Sequence, residues 1–125
     1  MPKKPFTVYV VDDDESIRKA LKRLLGSVGY HTLTFESAEA LLELPLAHGE
    51  GCLVLDIRLP GMTGFELQEK LSLRGTKYPV LFMTAHDNPR WRERANKAGA
   101  VAYIKKPFLE QTLFEAIGLC SEKEV

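Results

Sequence analysis

The chain has 125 residues, 45% of them hydrophobic, and 17 basic side chains balance 17 acidic ones. That length suits one domain with a single core, in which roughly two-thirds of the unfolded surface is buried. Zero net charge gives no electrostatic reason to expect nucleic-acid binding by this chain alone, and the two cysteines, Cys52 and Cys120, stand in neither metal nor redox spacing.

The chain opens MPKKPFTVYVV, with basic residues at Lys3 and Lys4. Its apolar run breaks at Asp12, too soon for a signal-peptide core or a membrane span, so a cytoplasmic location is expected. Phe6 to Val11 reads as a β-strand, followed by Asp12, Asp13 and Asp14. Ile17, Leu21, Leu24, Leu25 and Val28 recur at helical spacing, with Asp14 as the cap that begins the helix. His31 to Phe35 reads as a second strand, followed by Glu36 and Ser37. Ser37 caps a helix through about Leu44.

In CLVLDIRLPGMTG, residues 52 to 64, a buried strand over Leu53 to Leu55 delivers one acid, Asp56, to a loop with a proline and two glycines. Cys52 in this apolar run reads as a buried free thiol. Thr63 and Glu66 have capping-box spacing. Pro79 to Met83 is the fourth strand, with Thr84 after it. Asn88-Pro89 is a cap followed by proline at the first helical position, and Gly99 ends that helix. Val101 to Ile104 is the fifth strand, with Lys105, Lys106 and Pro107 after it. Leu109, Leu113, Ala116 and Ile117 share one face of a last helix.

Strand and helix alternate five times, which predicts an α/β fold with a parallel sheet and helices on both faces. An open five-stranded sheet is preferred over half a barrel, because it needs no partner to close it. In such sheets ligands bind outside the C-terminal ends of the strands. Asp12, Asp13, Asp56, Thr84 and Lys106 should therefore converge on one edge. Like charges gathered there raise one another's pKa, so something positive must offset them. Lys106 offers one charge. Mg²⁺ offers two and favours carboxylates, with Asp13 and Asp56 as natural ligands and Asp12 holding water or metal further out. Asp56 then supplies an attacking oxygen, as in a phosphoryl-transfer centre. Other residues read more plainly. Lys105 points outward, His86 reads as a loop histidine in preference to a ligand, His31 and His48 carry no signal, and Trp91 reads as a core contact on a face shared with Ala95 and Ala98 in preference to a partner-docking residue.

The motifs VVDDDESIRKAL, LVLDIRLPGMTG, LFMTAHD and KAGAVAYIKKPF, taken together, identify a resemblance. The chain resembles a bacterial response-regulator receiver domain of the CheY-like superfamily, closest to the FixJ-like group, over essentially all of its length. The resemblance implies a flavodoxin-like, doubly wound sheet in the superfamily's strand order, 2-1-3-4-5. It implies that Asp56 is the phospho-acceptor for a sensor histidine kinase. Asp12, Asp13 and the backbone carbonyl of Arg58 would join Asp56 as Mg²⁺ ligands. Thr84 and Lys106 would contact the phosphoryl group, and Tyr103 would be the switch aromatic. The Lys106–Pro107 bond is usually cis in this family. Arg58 and His86 occupy positions that tune the lifetime of the acyl phosphate, and Leu109 replaces a common polar cap.

By the same resemblance the chain is one receiver domain that controls a DNA-binding output domain lying outside it. A phosphorylation-dependent homodimer through the fourth helix and fifth strand is expected by analogy. A stand-alone receiver acting by protein contact is the alternative. A phosphatase of the haloacid-dehalogenase type is disfavoured, since its DxDx[TV] motif would close with Thr or Val where Asp12 to Ser16 does not. A flavodoxin-like cofactor binder would cradle phosphate in its first βα turn, where DDDES repels it.

Overall fold

A computed structural model describes residues 6–46 and 50–123; Lys3, Lys4 and His48 lie outside them. The strands are β1 (Thr7–Val11), β2 (His31–Phe35), β3 (Gly51–Asp56), β4 (Val80–Thr84) and β5 (Ala102–Lys105). The helices are α1 (Glu15–Ser27), α2 (Ala38–Leu42), α3 (Gly64–Leu73), α4 (Pro89–Lys97) and α5 (Glu110–Lys123). The strands form one parallel sheet in the order β2-β1-β3-β4-β5.

β3 explains the arrangement. All six of its residues are buried, because helices cover both faces of the sheet. Alternate side chains enter two separate cores. Cys52 and Val54 join Val8, Val10, Leu21, Leu81 and Leu113 on one face. Leu53 and Leu55 join Leu41, Phe65, Leu67 and Phe82 on the other. On that second face the Phe65 and Phe82 rings pack at 4.7 Å between centroids, tilted by 51°.

Each of the first four helices starts at the cap its sequence announces. Asp14 accepts from the Ser16 and Ile17 N–H groups, and Ser37 accepts from Ala40. Thr63 and Glu66 form a reciprocal capping box. Asn88 accepts from Arg90, with Pro89 in the first turn. The Lys106–Pro107 bond is cis. No helix among the described residues is long and apolar enough to cross a membrane.

Three apolar assignments change. Leu109 does not lie on the buried face of α5; it is 74% exposed and precedes the helix, because Phe108 takes the inward place beside the core. Val28 caps α1 in a non-helical conformation and is half exposed, while Tyr30, past the turn at Gly29, packs against the core instead. Ala98 is the exposed C-cap of α4, so the inward face beside Trp91 is carried by Ala95.

Candidate functional site

The strand register builds the site. Val11 pairs with Leu55, so Asp12 comes level with Asp56 where the strand order reverses between β1 and β3. Asp56 pairs with Met83, and Thr84 pairs with Lys105, which brings Lys106 to the same edge. Asp56 is the last residue of β3 and Thr84 the last of β4, so the strands carry them rather than merely precede them.

Asp12 is fully buried and held on every side. Its Oδ1 accepts from the Asp14 N–H at 2.9 Å, and its Oδ2 accepts from Lys106 Nζ at 2.6 Å. Its main-chain carbonyl accepts from the Arg18 guanidinium at 2.8 Å. Asp56, 6% exposed, takes the Arg58 N–H on Oδ1 at 3.2 Å and Lys106 Nζ on Oδ2 at 3.3 Å. Behind it, Gly64 lets α3 approach closely: a Cβ there would stand 2.5 Å from the Asp56 carbonyl oxygen. The Gly64 N–H donates to the Ile57 carbonyl at 2.9 Å, fixing the loop that leaves the strand.

Asp12, Asp13 and Asp56 each offer a carboxylate oxygen, all within 4.8 Å of one another. They face a cleft of about 350 Å³, lined also by Asp14, Arg58, His86 and Lys106. Burial, and next the Asp12 charge, raise the Asp56 pKa; Lys106 and the Arg58 N–H offset part of this. Burial alone would lower the Lys106 pKa, but its hydrogen bond to Asp12 and the Asp56 and Asp12 charges together raise it. This set of hard oxygen donors fits a divalent cation of the Mg²⁺ type, and carries more negative charge than one lysine balances.

Thr84 and Tyr103 stand apart from the cleft lining. The buried Thr84 hydroxyl accepts from the His86 N–H at 3.0 Å and donates to the His86 carbonyl at 3.2 Å. The half-buried Tyr103 ring packs near the second core, and its hydroxyl accepts from the Asn88 N–H at 3.4 Å. The Arg92 guanidinium lies 4.8 Å from the centre of that ring and grips Asp87 through two hydrogen bonds, 2.8 and 3.0 Å. Arg92 holds the Asp87 carboxyl below the usual range, with the Tyr103 hydroxyl assisting.

Sequence reasoning did not single out Arg18, Arg92 or Asp87. Arg18 falls in the first turns of α1 in a charged stretch, and nothing in the string marks its guanidinium as turned back to Asp12. Asp14, favoured by the sequence as a cap, both caps α1 and lines the cleft.

A doubly wound parallel sheet with acids and a lysine meeting at its switch point is the architecture of CheY-like domains. The chain belongs to the response regulator receiver domain family, which it matches over residues 8–118. It is 40% identical over 111 residues to the transcriptional regulatory protein TdiR of Thauera aromatica, covering 89% of this chain and 49% of TdiR. It is 37% identical over 106 residues to the transcriptional regulatory protein FixJ of Bradyrhizobium diazoefficiens, covering 85% and 52%. The chain thus spans about half the length of these curated relatives. Among solved structures, FixJ-N superposes with a TM-score of 0.88 at 38% identity, covering 98% of both chains. The response regulator StyR gives 0.89 at 45%, covering 95% of this chain and 60% of StyR. The chain is a receiver domain of the FixJ-like group, a signalling domain rather than a classical enzyme.

Proposed function

We propose that Asp56 is the phospho-acceptor and that the chain catalyses its own modification. An Asp56 carboxylate oxygen attacks the phosphorus of a sensor kinase phosphohistidine; the P–N bond breaks and its electron pair returns to the imidazole. Asp12, Asp13, Asp56 and the Arg58 main-chain carbonyl would hold Mg²⁺, which when bound neutralises charge on the phosphoryl oxygens. Lys106 already bridges Asp12 and Asp56, and meets one phosphoryl oxygen by exchanging the Asp56 carboxylate for it. Thr84 meets another after leaving His86, and Tyr103 responds to the space it vacates. Arg58 and His86 shield the acyl phosphate from water. On this reading the domain works in the cytoplasm, controls a DNA-binding output domain outside these residues, and pairs with a second copy through α4 and β5 when phosphorylated.

The observation that carries the proposal is the buried Asp56 carboxylate sharing Lys106 with Asp12 while sharing an oxygen cluster with Asp13. Incubation with acetyl phosphate and Mg²⁺, followed by intact mass measurement, should give one phosphoryl adduct. The adduct should need Mg²⁺, vanish in Asp56→Asn, and decay faster when Arg58 and His86 are both replaced by alanine. An adduct that persists in Asp56→Asn would assign the chemistry to another residue.

A further inference from the structure

We propose that Arg92, clamped by Asp87 over the Tyr103 ring, is a latch that holds the switch at rest and sets how readily a phosphoryl group releases it. This rests on the phospho-acceptor reading above and names a control of that same site. One side chain on α4 joins three segments: its own helix, the β4–α4 loop through Asp87, and β5 through Tyr103. The Tyr103 hydroxyl is tied to the same loop at the Asn88 N–H, where α4 is capped.

The latch belongs to the resting arrangement because of where Thr84 points. Its hydroxyl is engaged on both sides with the His86 backbone, and Thr84 is not among the residues that line the cleft. To reach a phosphoryl oxygen on Asp56 it must give up both bonds. His86 then loses both of its bonds to Thr84 and is one peptide bond from Asp87, so the freed loop shifts and carries Asp87 out of the planar grip of Arg92. Losing that grip uncovers the Tyr103 ring. Whatever stabilises the resting state weakens binding of a phosphoryl mimic by the same factor, so removing the latch must strengthen it. The pair is partly exposed, so the factor is small, about two- to fivefold.

The test is calorimetric titration of the whole chain with beryllofluoride at saturating Mg²⁺. Arg92→Ala and Asp87→Asn should each lower the dissociation constant about two- to fivefold, and the double variant should gain no more than either single one. Glu93→Gln, which breaks the 3.1 Å Glu93–Lys97 pair on the same helix, should bind like the parent. General damage to the fold weakens binding, so a gain separates a latch from a merely structural contact. Unchanged or weaker binding in Arg92→Ala and Asp87→Asn overturns the latch while leaving the acceptor reading intact. A parent chain that binds no beryllofluoride overturns the acceptor reading, and the latch with it.

Discussion

At the scale of single residues, the site is held in tension by its own charges. Asp56 is a nearly buried carboxylate beside a fully buried one, and burial together with Asp12 raises its pKa despite Lys106. A group whose pKa is raised on folding binds its proton more tightly in the folded state. Its ionised form therefore opposes folding at neutral pH, and that opposition fades as pH falls through the raised pKa. Asp56→Asn should stabilise the metal-free protein by about 1 kcal/mol, or about 4 °C in melting temperature. The advantage over wild type should shrink as pH is lowered through the Asp56 titration. Parallel thermal melts across pH would check both the sign and the window. Lys106 behaves in the opposite sense. Its pKa is raised above the ordinary 10.5, so its stabilising bonds are fully present at neutral pH and fade only in strongly alkaline solution.

At the scale of elements, the sequence spoke most clearly through its helix starts. Asp14, Ser37, Thr63 and Asn88 each cap the helix that follows, because a side-chain oxygen at that point meets an otherwise unpaired N–H. β3 was legible from its unbroken apolar run, although it starts earlier and ends on Asp56 itself. Periodicity misled at element ends. Val28 and Leu109 fit a helical stripe on paper, but Val28 falls in the turn after α1 and Leu109 just ahead of α5, and an aromatic neighbour takes each core position. The meeting of Asp12, Asp13, Asp56 and Lys106 was legible from strand order plus strand ends. The turn of Thr84 toward His86 and the grip of Arg92 on Asp87 were not, since both depend on rotamers that no spacing rule encodes. The junction of β3 and α3 yields its own prediction. Gly64→Ala puts a methyl 2.5 Å from the Asp56 carbonyl, and that oxygen belongs to backbone that must shift. The variant should lose about 1–3 kcal/mol in urea unfolding, and its Mg²⁺ affinity should fall. Thr63→Ala should lose about 1 kcal/mol of helix capping and leave Mg²⁺ binding near that of the parent.

At the scale of the whole molecule, rigidity is unevenly spread. β1 and β3 lie inside the sheet, and β3 has no exposed residue. α4 has Ala95 as its one buried residue, and apart from the half-buried Trp91 its other residues are exposed. A helix so lightly anchored opens at low free-energy cost, as the proposed switch through Thr84 and Tyr103 requires of it. Native-state hydrogen exchange should therefore find the slowest amides in β1 and β3 and much faster ones in α4. Addition of Mg²⁺ and beryllofluoride should change exchange mainly from Thr84 through β5. Uniform protection across the sheet and α4 would contradict this division.

The position of Lys106 in the chain also has a consequence in time. It follows Asp12 by 94 positions and Asp56 by 50. A ribosome adding about 5–20 residues per second completes the acidic trio roughly 3–10 s before it supplies the ammonium that bridges two of its members. Through that interval the nascent chain carries the acids without the ammonium that bridges two of them. The last strand of this sheet to be synthesised is thus the one that brings the site its own counter-charge, so a receiver halted before β5 would hold every acid of the site and none of its lysine.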